Sequence, residues 1–527
     1  MEKVNKLLTK DVLFTLLFVI VALHPIIELD YWIYEIFSNI GLPRLTTIID
    51  YIILPLLVVA IFILYEKNKK KTLIYIGVFA LIFGVYFFFH YSNALVIRDT
   101  IHLTDNFVLS FKEELMYTFV LLLPLVYIYI FYISNLKENI LKNIVILTSS
   151  LISWSIFISD IFTFGKSTYS GFTYDNIFSW FALPFDHRYF HPRRYACKFF
   201  FEEGNTIGIL LLIILPLLYY FSYKEKNKKL KLYLYVLIFI QSISMIILST
   251  RIATFGSILV PIAMFIVYIF LVLLKKEKLS KTFVIILFVN TFICGTIYPF
   301  CPAYQNQLID ASDYGIIKVD DKQKEEAKLL LKDADKLIKW SDEWRYFYEY
   351  IFEDYQFLIN LTPPIYYVTW YSYKYDPEFW VDVIFDYPLE ERVNGRQIET
   401  IFTKYKWDEL NTMQKLTGFG YSTVMNGGIL IERDFVQQYY SYGLIGSILI
   451  FAGWILTTIF AGIKVVIGYK KGRWNLLNIT LLMSIGLGFV SSVVSGHTFD
   501  ELTTSLFISL CLAYLLKQIN TKNSEEI

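Results

Sequence analysis

Two arginines are the first candidates for chemistry, because a guanidinium binds an oxyanion through two parallel hydrogen bonds. Arg251 follows Ser249 and Thr250 in a very short turn between two long apolar runs. A charge held at such a place is costly unless it is paired, which makes this residue a functional candidate; the alternative is an arginine that extends to lipid headgroups. Arg396 follows an Asn-Gly pair and, taken alone, is typical of a solvated loop charge.

A carboxylate, Glu432, precedes a further long apolar run together with Arg433 and Asp434. Carboxylates at such a place are usually solvated helix starts, which the helix dipole favours. In a partly dry site the pKa of a carboxyl group rises, and the group then serves as a general base. Gly443 and Gly446 follow within the same run, and their spacing allows another helix to pack closely.

Residues 340–387 are crowded with Trp, Tyr and Phe. Such rings anchor a protein at the headgroup level of a membrane, or they form a platform on which the C–H faces of sugar rings pack. The density of rings does not separate these two uses. The rings that we would test first as sugar contacts are Trp340, Trp344, Trp370 and Trp380.

The composition indicates that these residues are carried by a membrane protein. Of 527 residues, 56% are apolar and 18% are charged, which leaves too little polar surface to cover a soluble globule of this size. A net charge of +1 argues against a nucleic-acid partner, which would need a concentrated basic face. Four cysteines without a C-x-x-C pair and six scattered histidines exclude a zinc ribbon, a thioredoxin-type site and a disulfide scaffold, and argue against a metal site built on His or Cys.

Twelve apolar runs are long enough to cross a bilayer, which takes about 20 residues per helix. The chain is therefore predicted to be an all-α polytopic membrane protein. The first run lacks a small-residue cleavage site and is interpreted as a retained helix, not as a signal peptide. The predicted spans are 11–29, 48–65, 72–90, 116–134, 141–160, 205–222, 232–248, 253–274, 282–300, 436–463, 474–495 and 501–516.

The distribution of Lys and Arg predicts the orientation, because short cytoplasmic loops retain positive charge. One set of alternate connections and tails holds 24 basic residues, and the opposite short loops hold 9. These counts place both termini in the cytoplasm. The predicted organisation is nine helices in 1–300 with an outer loop at 161–204, a large extracytoplasmic loop at 301–435, and three helices with a cytoplasmic tail in 436–527. Within the large loop, the spacing of leucine and aromatic residues over 321–358 predicts an amphipathic helix.

The end of the large loop resembles a signature of O-antigen ligases and of the related Wzy-type polysaccharide polymerases. Its elements are Gly-Phe-Gly at 418–420, then Glu432 and Arg433, nine intervening residues, and Gly443-x-x-Gly446. In the ligases a histidine stands where this chain has Glu432.

Further segments resemble the family in the same order. Ser-x-Arg at 249–251 and Gly-Arg at 395–396 are similar to two of its arginine motifs. The stretch from Arg193 and Arg194 to Asn205 is similar to its Arg-rich approach to an asparagine that opens a helix. Twelve spans with the long loop between the ninth and tenth also match, and the resemblance extends over roughly residues 190–500.

The resemblance implies a GT-C-like helical bundle with a metal-independent glycosyltransferase activity on the outer face of the cell membrane. The donor would be a polyprenyl-diphosphate-linked oligosaccharide, the acceptor a sugar hydroxyl, and no cofactor would be needed. Polymerisation of repeat units is preferred to ligation of a finished glycan, and a chain-length regulator or a flippase is the kind of protein partner that is implied.

The resemblance also implies roles for particular residues. Arg251 and Arg396 would hold the leaving diphosphate, and Glu432 would take the proton of the acceptor hydroxyl. Substrate contacts are predicted at Arg193, Arg194, Asn205, Arg433, Asp434, His497, Trp344, Trp370 and Trp380.

One departure affects the choice of base. No histidine occurs in 301–435, so either Glu432 replaces the imidazole or the base comes from elsewhere, such as His497 in the last outer turn. The departure lowers support for a ligase more than for a polymerase.

Two competing interpretations remain. Glu28 and Asp30, at the end of the first span, would bind a divalent ion if the protein resembled glycosyltransferases of the oligosaccharyltransferase type; Asp333 and Asp335 form a second acidic pair, interpreted as a solvated helix face. A transporter or flippase for lipid-linked sugars fits twelve helices equally well. Its polar mid-membrane candidates include Asn290 and Gln241, although a buried amide bonded to a backbone carbonyl explains these more simply.

Overall fold

The computed structural model describes residues 10–34, 41–134, 136–169, 171–182, 195–305, 320–334, 336–359, 362–388 and 395–521. Regular structure in these residues is helical. The described part of the chain contains, besides helices, two isolated β-bridges, Lys166 with Phe172 and Ser167 with Cys197. The predicted all-α class is confirmed.

Twelve helices in the described ranges are long and apolar enough to cross a membrane, which confirms the predicted number of spans. They are Val12–Trp32, Leu45–Tyr65, Lys69–Thr100, Phe111–Ile133, Glu138–Ile161, Gly204–Lys224, Lys228–Leu248, Arg251–Leu273, Lys281–Phe300, Asp434–Ile467, Leu476–Val494 and Leu502–Asn520.

The α-helices within and between these spans are numbered in chain order. They are α1 (Lys10–Ile27), α2 (Leu45–Ile48), α3 (Leu54–Tyr65), α4 (Lys69–Thr100), α5 (Phe111–Ile133), α6 (Glu138–Ile161), α7 (Ile177–Ala182), α8 (Gly204–Lys224), α9 (Lys228–Leu248), α10 (Arg251–Leu273), α11 (Lys281–Ile297), α12 (Asp321–Ala334), α13 (Asp342–Tyr355), α14 (Pro377–Phe385), α15 (Gly395–Glu409), α16 (Thr412–Thr417), α17 (Tyr421–Asn426), α18 (Asp434–Ile467), α19 (Leu476–Val494) and α20 (Leu502–Thr521).

The amphipathic helix predicted over 321–358 is interrupted and forms two helices, α12 and α13. The described residues between them are not helical, and Trp340, two residues before α13, has a left-handed φ of 70°. Ser341 then starts α13 by accepting a hydrogen bond from the Trp344 N–H, as serine at an N-cap does. The leucine and aromatic spacing continues across this break, so periodicity alone predicts one helix.

The chain divides into two compact units. The first contains Met1–Ile74, Val120–Ala311 and Ala452–Ile527, and the second contains Tyr75–Phe119 and Ser312–Phe451. The large loop from residue 312 onward therefore shares a unit with parts of the membrane-crossing helices α4, α5 and α18.

The core of the first unit is built around α8, which is buried along nearly its whole length and packs against α9, α10 and α19. Inside it, the Gln241 amide donates to the Leu211 carbonyl at 2.8 Å, as predicted. The Asn290 amide donates instead to the hydroxyls of Tyr219 and Ser242, each at 2.8 Å. Both amides have partners within the bundle.

The second unit combines an aromatic core with a buried contact between a histidine and a carboxylate. Rings and aliphatic side chains from α13, α14 and α15 form the core. The His90 Nε2 atom lies 2.9 Å from a carboxylate oxygen of Glu114, and both side chains are fully buried. Glu114 also accepts hydrogen bonds from the backbone N–H groups of Tyr421 and Ser422, each at 2.9 Å, so this carboxylate connects α5 to the start of α17.

Candidate functional site

An ion pair between Arg396 and Glu432 lies in the second unit. The Nη2 atom of Arg396 is 2.5 Å from the Oε1 atom of Glu432. Arg396 lies in the first turn of α15, which corrects its interpretation as a loop charge, although its side chain is 61% exposed. The Glu432 side chain, just before α18, is only 16% exposed. The structure thus brings together two of the three residues predicted to be catalytic.

A second carboxylate, Glu399, lies one turn further along α15 and was not predicted. Residues three apart on a helix face the same side, and Glu399 is 6% exposed. Its Oε1 atom accepts a hydrogen bond from the Tyr366 hydroxyl at 3.0 Å. Its Oε2 atom accepts one from the Leu430 N–H at 3.1 Å. Burial raises the pKa of Glu399 to about 7, and the charge of Glu432 adds to the effect.

Aromatic rings flank this carboxylate. The half-buried Tyr366 ring meets the half-buried Trp370 ring edge to face, with centroids 5.2 Å apart. Trp370 also lies against Gly428, where a Cβ atom would be 2.7 Å from its ring. The predicted sugar contact at Trp370 therefore lies beside the Tyr366–Glu399 pair.

The glycines of the signature allow the Gly-Phe-Gly segment to pack closely on α18. Gly418 and Gly443 have φ angles of 85° and 66°, and a Cβ atom on Gly443 would lie 2.5 Å from the carbonyl carbon of Leu416. The Phe419 N–H donates to the Tyr440 carbonyl at 2.9 Å, which ties the Gly-Phe-Gly segment to the first turns of α18. These glycines thus allow two backbone segments to touch.

The close packing predicted for Gly446 is also present. Its Cβ position is occupied by the hydroxyl end of Tyr86 from α4. The Tyr86 hydroxyl donates to the Tyr442 carbonyl at 2.5 Å. In the Gly443-x-x-Gly446 pattern, Gly443 therefore allows a close backbone contact, and Gly446 allows close packing against α4.

Arg251, the third predicted catalytic residue, belongs to the first unit. Ser249 ends α9 in a left-handed conformation, and the Thr250 side chain caps α10 by accepting from the Ala253 N–H. Arg251 is consequently the first residue of α10. Its side chain is exposed and forms no hydrogen bond or ion pair with the described residues.

The remaining predicted polar contacts lie at helix starts or outside the described residues. Asn205 is in the first turn of α8, so an asparagine does open a helix there. Asp434 starts α18 and is buried, whereas Arg433 before it is exposed. Arg193 and Arg194 fall in 183–194, which is outside the described residues.

Two of the predicted tryptophan contacts are core residues. The side chains of Trp344 and Trp380 are 3% and 0% exposed, so the structure does not present their faces to a ligand. Trp344 contacts the rings of Trp340 and Tyr348, and Trp380 contacts Phe379. They stabilise the aromatic core of the second unit.

His497, the alternative base, lies in the first unit between α19 and α20. It has a φ of 58°, and its Nδ1 atom is 3.4 Å from a carboxylate oxygen of Asp500. Beside it, burial raises the pKa of Glu501, and the charge of Asp500 adds to this shift. His497 is thus part of a carboxylate-rich turn.

The carboxylates considered for a metal have other partners. Asp30 accepts from the Arg44 guanidinium at 3.1 Å and from the Thr46 N–H at 2.7 Å, and Glu28 lies 3.3 Å from the His24 ring. The exposed Asp333 pairs with Lys336 at 2.6 Å, while Asp335 is not among the described residues. Within the described ranges, no group of three or more His, Cys, Asp or Glu side chains is arranged to hold a metal ion.

Comparison with known proteins assigns a family. Residues 10–522 match the family described as O-antigen ligase like membrane protein. No curated protein and no solved structure gives a significant match. Because the match spans nearly the whole chain, the protein belongs to the O-antigen ligase like membrane proteins, a family that indicates glycan transfer at the membrane.

Proposed function

We propose that the protein polymerises lipid-linked oligosaccharides by transferring a glycan from polyprenyl diphosphate to the hydroxyl of an acceptor sugar. The observation that carries this proposal is the Arg396–Glu432 ion pair. It joins the Gly-Arg segment to the signature residue Glu432 in a chain that belongs to the family. The distribution of lysine and arginine supports a multi-pass protein of the cell membrane with both termini in the cytoplasm. In that orientation the Arg396–Glu432 pair lies on the outer face.

The chemistry of transfer suits a guanidinium. When the bond between the anomeric carbon and the diphosphate breaks, its electron pair leaves with the diphosphate, and negative charge accumulates there. A fixed guanidinium stabilises that charge through charge-assisted hydrogen bonds. Arg396 is exposed enough to meet a substrate, and Glu432 fixes its position. Arg251 is proposed as a second arginine required for transfer.

The acceptor sugar must lose a proton and be held in place. Carboxylates at Glu432 and Glu399 lie in the same cluster and are proposed to provide the proton acceptor. Trp370 is half-buried beside them, and its ring is proposed to pack against the acceptor. Sugar C–H faces pack well on such rings.

Polymerisation is preferred to ligation because Glu432 stands where ligases have histidine. Purified full-length protein is incubated with a polyprenyl-diphosphate-linked oligosaccharide, and the glycan products are separated by gel electrophoresis. We expect a ladder of products. One shifted product formed only when a second acceptor is added would assign a ligase, and an unchanged donor would contradict glycan transfer.

A further inference from the structure

The two carboxylates of the cluster have different surroundings. Glu432 contacts the positively charged Arg396 at 2.5 Å. Glu399 receives hydrogen bonds from two neutral donors, Tyr366 and Leu430, and no Lys or Arg of the described residues pairs with it. A carboxylate held by a guanidinium is a poorer proton acceptor than one that faces neutral donors. When environments differ in this way, two acids commonly divide the tasks of a reaction.

The geometry fixes Glu399 in a single orientation. Its two oxygens are held by donors from two different segments, the Tyr366 hydroxyl at 3.0 Å and the Leu430 N–H at 3.1 Å. An ionised carboxylate has about four lone-pair sites, so each oxygen retains acceptor capacity after these bonds. The carboxylate is therefore positioned to receive a proton.

Tyr366 connects this buried carboxylate to a more accessible surface. Glu399 itself is 6% exposed, too little for a sugar to reach directly, whereas Tyr366 is half-buried and borders the Trp370 ring. A tyrosine hydroxyl donates one hydrogen bond and accepts others. Its donor position is directed at Glu399, which leaves its oxygen as the acceptor for a substrate hydroxyl.

From this geometry we infer that Tyr366 and Glu399 form a proton relay for the proposed transfer, with Glu399 as the final acceptor and Glu432 as the residue that positions Arg396. The inference rests on the proposed function and replaces Glu432 by Glu399 as the base. Tyr366 touches the acceptor sugar, and Glu399 acts through it.

The atoms and charges of this step balance. The acceptor oxygen forms its bond to the anomeric carbon while its proton moves to the Tyr366 oxygen, and the original Tyr366 proton moves to the Oε1 atom of Glu399. The bond between the anomeric carbon and the diphosphate breaks, and its electron pair leaves with the diphosphate beside Arg396. Glu399 ends neutral and returns its proton to solvent before the next turnover.

The charges around Glu399 suit this role. Its carboxyl group accepts a hydrogen bond from Tyr366 and interacts electrostatically with Tyr371, Arg396 and Glu432. Burial raises its pKa to about 7, against hydrogen bonds and Arg396, which lower it. An acceptor with a pKa near the working pH combines a useful ionised fraction with useful basicity.

The test measures the rate of glycan transfer as a function of pH for full-length protein in detergent. We expect the wild-type kcat to rise through about pH 7. Glu399→Gln should lower kcat by about 10²–10⁴-fold and remove this rise, and Tyr366→Phe should also lower kcat. Glu432→Gln should lower kcat less than Glu399→Gln does and should keep the rise, because it removes only the residue that positions Arg396.

A matched pair provides the control. The Tyr373 hydroxyl donates to a carboxylate oxygen of Glu353 at 3.1 Å, in the same unit but exposed. Glu353→Gln and Tyr373→Phe should leave the rate and its pH profile unchanged. Thermal unfolding of every variant checks that the fold is retained.

A second measurement does not depend on activity. Infrared difference spectra of wild-type protein should show a carboxyl C=O band that appears as the pH falls through about 7, and Glu399→Gln should lack it. The relay would be overturned if Glu399→Gln lost this band but transferred glycan at the normal rate. It would also be overturned if Glu432→Gln lost the pH rise while Glu399→Gln kept it. In both cases the proposed function would still hold. Absence of transfer by wild-type protein would overturn both the relay and the proposed function.

Discussion

The guanidinium of Arg396 lies 2.5 Å from the carboxylate of Glu432, so an exposed cation at the start of α15 is held by a mostly buried anion before α18. The pairing joins the Gly-Arg motif and the signature segment of the large loop in one cluster. It also means that the charge available for a leaving diphosphate depends on the position of Glu432.

Arg396→Ala is expected to lower kcat/KM for glycan transfer by about 10²–10³-fold, because it removes a charge that stabilises the transition state. Arg396→Lys should recover only part of the activity, since lysine lacks the planar pair of donors. Lys404→Ala, which removes an exposed cation from the same helix, is the control and should be active. An active Arg396→Ala protein would remove this residue from the reaction.

Arg251→Ala is expected to abolish transfer without affecting the amount of folded protein, because the exposed Arg251 side chain forms no bond within the described residues. Size-exclusion chromatography in detergent measures folding, and the gel assay measures transfer. Lys281→Ala, which removes a cation from the first residue of another membrane-crossing helix but on the predicted cytoplasmic side, should be active. Full activity of Arg251→Ala would favour an arginine that contacts only lipid headgroups.

Gly443→Ala is expected to lower the melting temperature strongly or to prevent folding. The new methyl group would meet the Leu416 carbonyl, and a φ of 66° costs a non-glycine residue about 1–3 kcal/mol. Gly462→Ala in the same helix has nothing within 4 Å of the added methyl group and should be neutral. Equal melting temperatures for the two variants would contradict the close backbone contact.

Glu114→Ala is expected to destabilise the protein by about 1–3 kcal/mol for each buried group that loses its acceptor. The groups are the His90 Nε2 atom and the N–H groups of Tyr421 and Ser422. The neighbouring exposed Glu113 supplies the control, since Glu113→Ala should change stability little. The difference is measured by heating each variant and determining, by size-exclusion chromatography with fluorescence detection, how much monodisperse protein remains. Indistinguishable heat resistance would show that the buried pair does not stabilise the second unit.

The pH dependence of stability tests Glu399 separately from catalysis. Its pKa is about 7 in the folded protein against 4.5 ordinarily. Because the folded value is the higher one, its stabilising contribution is fully present below about pH 4.5 and is lost as the pH rises through about 7. Glu399→Gln should therefore melt above wild type at alkaline pH and lose this advantage in acid. A constant difference across this range would contradict the raised pKa.

Much of the fold follows from the sequence. Span length and hydropathy are local properties, so the twelve helices were predictable. The break between α12 and α13 was not, because it is a change of backbone conformation that leaves the side-chain spacing unchanged. The burial of Trp344 could have been predicted, because it shares a helical face with Tyr348 and Ile351, which are both buried.

The site was only partly predictable for a different reason. Arg396 and Glu432 were found because they stand in motifs of the family. Glu399 belongs to no such motif, and its properties arise from burial and from the Tyr366 and Leu430 donors that the fold brings to it. The one available signal was its spacing of three residues from Arg396 on a helix.

The most direct measurement follows both products of the proposed reaction at once. Wild-type protein and Arg396→Ala are incubated with the lipid-linked oligosaccharide, and mass spectrometry quantifies released polyprenyl diphosphate and new glycosidic bonds. We expect wild type to release one polyprenyl diphosphate for each glycosidic bond that it forms, and the variant to form neither product. Movement of intact donor across vesicles with neither product, or equal yields from the variant, would contradict this expectation.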